Sequence, residues 1–85
     1  MNRVIVSGKI NSLEYKLVDR GNIYALIVIK LKVEKCKGDI VIIGKNRLAD
    51  DIYREYQVYD KIIINGFLRK IKEDIIIVLK DIEKI

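Results

Sequence analysis

The side chains in this sequence with the most chemistry to offer are cations. Lys30 and Lys32 stand two apart at the end of an apolar stretch, Lys35 and Lys37 follow at the same spacing, and Arg69, Lys70 and Lys72 form a second cluster. Ammonium and guanidinium groups donate hydrogen bonds, accept none and keep their charge at neutral pH, so such clusters suit phosphates and other anions. The groups that catalysis needs are scarce. There is no histidine, so there is no Ser-His or Cys-His pair and the commonest general base is missing. Cys36 is the lone cysteine; it cannot close an intramolecular disulfide, and without histidine it cannot build a structural zinc site. Cys36 lies in a loop among lysines, but nothing beside it suggests a use for the thiol. Gly8, Gly21, Gly38, Gly44 and Gly66 are scattered rather than gathered into a phosphate loop. Asp50-Asp51 reads as the first turn of a helix and Glu73-Asp74 as a hairpin turn, both structural. The expected activity is binding, with no catalytic residue, metal or cofactor.

The partner follows from charge. Seventeen Lys and Arg face 12 Asp and Glu, a net charge of +5 in 85 residues. That favours a polyanion, either nucleic acid or an acidic membrane surface. A Lys- and Ile-rich composition also accompanies an AT-rich genome or growth at high temperature. No run approaches the ~20 apolar residues of a membrane span, and the N-terminus lacks the pattern of a signal peptide. A cytoplasmic protein without a membrane partner is expected. One domain, residues 1–85, would bury about 60% of its unfolded surface, which leaves it marginal unless something adds to the core.

Strands must position these cations. From Arg3 to Ile10 the residues alternate, with Val4, Val6, Gly8 and Ile10 on one face and Arg3, Ile5, Ser7 and Lys9 on the other. Gly8 suggests a bulge or bend there. Leu13 to Val18 continues without a strong breaker, so the two stretches read as one long bent strand. After the turn at residues 19–22, Ile23 to Val33 fills every odd position with Ile, Ala, Leu or Val. Ile40 to Ile43 is a short third strand, ended by Gly44. From Asn46 to Gln57 the period changes: Leu48, Ala49, Ile52, Tyr53 and Tyr56 share one helical face, with Asn46 as the expected N-cap. Ile62 to Leu68, interrupted at Asn65-Gly66, is the fourth strand; Arg69 to Asp74 is a basic turn region. Ile75 to Leu79 is the fifth strand, and the chain finishes near Ile82 to Ile85. Three strands, one helix and two strands, with the first strand bent, is the order of an OB-fold: a five-stranded, all-β barrel with one short helix between strands three and four.

The sequence also resembles the bacterial single-stranded DNA-binding proteins, and within them the primosomal replication protein N branch. Asn2-Arg3-Val4-Ile5-Val6-Ser7-Gly8 is similar to the opening of that branch. Gly44-Lys45, then Leu48-Ala49-Asp50 and Tyr56, resembles the family's helix, with Asn46 and Arg47 extra. Asp60 to Leu68 resembles its fourth strand and Asp81 to Ile85 its last. The resemblance spans the chain, and the order of the motifs carries it. It implies binding of single-stranded DNA in replication or replication restart, in a bacterial cytoplasm and on the nucleoid. Helicase or other primosome proteins would be further partners. Lys16, Lys32 and Lys72 fall where the primosomal branch has basic residues that touch DNA. The sequence departs from the larger family at the base-stacking positions, which read here as Lys35, Lys37 and Ile43. Its long loops are trimmed and no acidic-tipped tail follows the fifth strand, as in the primosomal branch.

Binding without tryptophan must lean on charge. The expected nucleic-acid site is Lys16, Lys30, Lys32, Lys35, Lys37, Arg69, Lys70 and Lys72, with Tyr24, on the non-core face of strand two, as the stacking candidate. Tyr53 and Tyr56 are expected in the core and Tyr59 against the helix end. Apolar residues on both faces of strands two, four and five predict a homodimer, with a tetramer as the alternative. The resemblance places Arg3, Ile5 and Ser7 near the contact. Two other functions compete: an OB-fold adaptor whose main partner is a replication protein, and an RNA-binding OB module.

Overall fold

The computed structural model describes residues 2–85. Its elements are β1 (Arg3–Arg20), β2 (Ile23–Lys32), β3 (Asp39–Lys45), α1 (Arg47–Glu55), β4 (Lys61–Ile71) and β5 (Asp74–Lys84). The strands close into a barrel in the order β1-β2-β3-β5-β4, and β4 returns to pair with β1. Neighbours are antiparallel except β3 and β5, which are parallel. This is the OB-fold expected from the order of elements.

Closure depends on β1. Its first half pairs with β4 and its second half with β2, and the strand shifts register between Ile10 and Ser12. Bulges of this kind bend and twist a strand. The bulge falls at Asn11, not at Gly8 as expected. Gly8 instead makes room for a neighbour. A Cβ there would collide with the Lys32 carbonyl oxygen, so glycine lets the end of β2 cross close to β1.

Alternation then sorts the residues. Ile10, Ala25, Ile27, Ile29, Leu31, Ile42, Ile62, Ile64, Ile77 and Leu79 point inward and form the core with Ala49 and Ile52 of α1. Ala25, Ile27, Ile29 and Leu31 on the odd-numbered face of β2 are buried as the pattern required, while Ile23 is half-buried and Val33 lies beyond the strand. Each of these large aliphatic side chains contributes about 1.5–3 kcal/mol through burial.

The helix closes one end of the barrel against β1, β2 and β3. It stops where Tyr56 turns extended, and the Tyr56 N–H donates to the Ile52 carbonyl. Asn46 stands at the expected N-cap position, where its carbonyl accepts from the Asp50 N–H, but its side chain does not cap the helix. That residue has φ 56°, and its side chain reaches β2 instead: Oδ1 accepts from the Tyr24 N–H and Nδ2 donates to the Asn22 carbonyl. Gly44 does not end β3 either. It lies buried inside the strand, where a Cβ would press on Ile27 at 3.1 Å. Arg69 and Lys70 belong to β4, and the turn itself is only Lys72-Glu73. Tyr53 is not core: it is 63% exposed, because its ring stacks on Tyr15 at the surface, with centroids 4.5 Å apart. Tyr59 is also exposed and is held by its backbone, which donates to the Ile10 carbonyl.

Candidate nucleic-acid interface

The outward positions of β2, β3, β5 and β4 build one continuous face. Register places Val28 opposite Ile43, Ile43 beside Val78, and Val78 opposite Phe67. Their sequence neighbours Ile27, Ile42, Ile77 and Gly66 are buried, so these four side chains face out. Two residues back along β3 and β5, Val41 and Ile76 extend the same face. All six are half-buried. The result is an apolar floor on the outside of a closed barrel.

Cations frame that floor. On one side, Lys30 lies opposite Val41 and Arg69 opposite Ile76, with Lys32 a further step along β2. On the other side stand Lys45 of β3 and Lys80 of β5, two residues beyond Ile43 and Val78. Lys16 lies opposite Leu26 on this side, but its ammonium is 3.2 Å from Glu14 and is partly neutralised. At the end of the floor, Phe67 carries the Arg3 guanidinium at 5.5 Å and the Lys80 ammonium at 5.9 Å from its ring centroid. A hollow of about 490 Å³ opens beside that ring, lined by Asn2, Phe67, Leu68, Arg69 and Val78. Its mix of ring, aliphatic wall and guanidinium suits a base with its phosphate.

The two loops converge on one end of this face. Because β3 and β5 run parallel, the β2–β3 loop and the β4–β5 turn emerge together. Lys35 and Lys37 sit in the first, Lys72 in the second, and Lys70 on the strand beside it, all exposed. Lys32 Nζ donates to the Cys36 carbonyl at 3.0 Å and ties the loop to β2. The structure therefore brings Lys30, Lys32, Lys35, Lys37, Arg69, Lys70 and Lys72 to one region.

Tyr24 is elsewhere. It lies at the start of β2 beside the helix, six residues from Lys30, close to Asp50 and to Tyr15, whose ring stacks on Tyr53. In that group the Tyr15 hydroxyl donates to the Asp50 carboxylate, which pushes the phenol pKa up to about 12. Burial, with the Asp50 charge behind it, raises Tyr24 as well. These phenols stay neutral near pH 7.

Sequence reasoning missed Phe67, Lys45, Lys80 and Arg3 as groove residues. The signal was available: with Ile62, Ile64 and Gly66 inward, alternation turns Phe67 outward. No group of three or more Cys, Asp or Glu side chains close enough to hold a metal ion occurs among the described residues.

Comparison with solved structures places this arrangement. The chain superposes on the SSB domain of a Synechococcus sp. protein with a TM-score of 0.84, over 96% of this chain and 93% of that one, at 12% sequence identity. It superposes on a small single-stranded DNA-binding protein from Streptomyces coelicolor with a TM-score of 0.70, over 96% and 90%, at 13% identity. The fold is thus the OB barrel of these SSB-type domains. No protein-family model matches the sequence, and no curated protein matches it.

Proposed function

We propose that this protein binds single-stranded DNA in replication or replication restart, holding the strand in the groove across β2, β3, β5 and β4. The observation that carries the reading is the apolar floor ending in Phe67 and bordered by Lys30, Arg69, Lys45, Lys80 and Arg3. Cations follow the phosphate backbone while the floor and the ring take bases, the division of labour of single-strand-binding OB grooves. The folds it superposes on support this choice. With one ring in the groove, phosphate contacts supply most of the affinity.

The test is fluorescence anisotropy with a labelled oligothymidylate, competed by RNA of matching sequence and by duplex DNA. Binding that weakens with salt and prefers single-stranded DNA supports the reading. Equal or better competition by RNA would move it to an RNA module. No binding at low salt would leave a protein-binding adaptor, whose partners would be a replication helicase or other primosome proteins.

The protein also acts as a homodimer in this proposal. Ile5 is 67% exposed and Ile63 39% on adjoining strands, Ile5 opposite Asn65 and Ser7 opposite Ile63. Outward isoleucines on a chain this small favour pairing with a second copy, with Arg3 and Ser7 bordering the contact. Sedimentation equilibrium should give a dimer that Ile5→Asp converts to monomer; a monomeric parent at micromolar concentration refutes pairing, and a tetramer would mean further buried surface.

A further inference from the structure

A second basic feature lies outside the groove floor, where β1 crosses from β4 to β2. Lys9 is directly opposite Lys32 on one neighbour and directly opposite Lys61 on the other. Three ammonium-bearing residues therefore occupy one rung across β2, β1 and β4. Directly opposed residues keep their Cβ atoms about 4.5–5.5 Å apart, and like charges so placed destabilise the pairing. The juxtaposition follows from Gly8, which lets the end of β2 tuck against β1.

Internal neutralisation is partial: Asp39 lies directly opposite Lys32 on β3, its carboxylate accepting from the Asn11 amide, and no carboxylate-bearing residue is paired with Lys9. Among the described residues the ion pairs within 4.0 Å involve Lys16, Arg54 and Lys84, not Lys9, Lys32 or Lys61. A hollow of about 530 Å³ opens over the rung, lined by Ser7, Lys9, Lys32, Glu34, Lys61 and Ile85 among others; Glu34 is the one carboxylate side chain in its wall, and the Ile85 N–H donates to the Lys61 carbonyl at its edge. The Ser7 hydroxyl adds a neutral donor.

We propose that this rung is a phosphate site, which takes a phosphodiester of the bound strand after it leaves the groove. Lys32 belongs both to the groove's border and to the rung, so it joins the two into one path around the barrel. The proposal rests on the single-strand-binding reading above and extends it: the protein engages more nucleotides than the groove alone can hold. A phosphodiester offers Lys9 and Lys61 the negative charge that Asp39, beside Lys32 at the far end of the rung, does not bring to them, and accepts from both ammonium groups at once.

The test compares the parent with Lys9→Gln/Lys61→Gln on two oligothymidylates, one of about six nucleotides and one of about 20, which bracket the 4–16 nucleotides typical of one OB fold. Both residues are exposed, so the variant should fold. The long strand should lose about 0.7 from its salt slope, the share of the one phosphate contact the rung makes, while the short strand should be unchanged. An equal loss on both lengths would mean diffuse attraction and overturn the proposal; so would no loss on either. Independently, inorganic tripolyphosphate added to the parent should shift the amide resonances of Ser7, Lys9 and Lys61, and their failure to move would also overturn it. A parent that binds neither oligonucleotide, yet shows these shifts, would keep the phosphate site and reject the single-strand reading.

Discussion

Neutralising Lys30 and Arg69 together gives the sharpest quantitative expectation. Both are exposed, they border the floor on one rung with Val41 and Ile76 between them, and neither forms an ion pair within the described residues. Three strand spacings separate them, about 14 Å along the sheet, so one cannot replace the other's phosphate contact. Lys30→Gln/Arg69→Gln should change stability by no more than about 0.5 kcal/mol per site. If Arg3, Lys30, Lys32, Lys45, Arg69 and Lys80 each engage a phosphate, the parent's slope of log affinity against log salt is about −4, and the variant's about −3. From 50 to 200 mM salt the parent would then lose affinity about 300-fold and the variant about 50-fold, a sevenfold difference in salt sensitivity. Anisotropy titrations with one short oligothymidylate at four salt concentrations measure both slopes. Identical slopes would refute the assignment of these two residues to the groove. A parent slope near zero would refute the electrostatic account as a whole.

Three further outcomes are expected. Phe67→Ala should weaken binding by about 1–3 kcal/mol, the worth of one stacked base, with little change in salt slope; an unaltered affinity would remove the ring from the site. Lys72 has φ 57° at the first position of the two-residue β4–β5 turn, where glycine is preferred. Lys72→Gly should therefore raise the denaturation midpoint, because relief of about 1–2 kcal/mol of left-handed strain exceeds the ~0.4–1 kcal/mol entropic cost of a glycine, while weakening DNA binding; a lowered midpoint would contradict the turn geometry. Tyr15 should resist ionisation to about pH 12 in an ultraviolet titration, against 10.0 for a free phenol. The fold favours its neutral form, so its contribution to stability is intact below pH 10 and is lost as pH rises from 10 through 12. Asp50→Asn should return it toward the ordinary value, and an unchanged titration would reject the hydrogen bond as the cause.

The barrel was legible because its signals were periodic. The odd positions of β2 and the alternation from Arg3 to Ile10 placed the core faces, and the spacing of Leu48, Ala49 and Ile52 placed the helix. What escaped were features decided by tertiary approach. Gly8, Gly44 and Asn46 have ordinary local readings as a bulge, a strand end and a cap, yet each is set by a neighbouring strand that only the closed barrel brings near. Tyr53 has the helical spacing of a core residue, but a nine-residue helix on the end of a small barrel buries only part of that face. The loop lysines were readable from composition. Alternation alone turns Phe67 outward, but its grouping with Arg3, Lys45 and Lys80 was not readable, because these residues lie far apart in sequence and meet only through the β3–β5 and β1–β4 pairings. Tyr24 shares a strand face with Lys30 and still lies at the other end of the barrel, since alternation fixes the face of a strand but not the distance along it.

The most direct test of the groove is amide chemical-shift mapping during titration with an oligothymidylate of about six nucleotides, within the range one OB fold holds. The perturbed residues should form one patch of Val28, Lys30, Val41, Ile43, Phe67, Arg69, Ile76, Val78 and Lys80, with Tyr15, Tyr24 and Tyr53 unmoved. Shifts centred on the tyrosine group beside the helix, or none at saturating DNA and low salt, would contradict it.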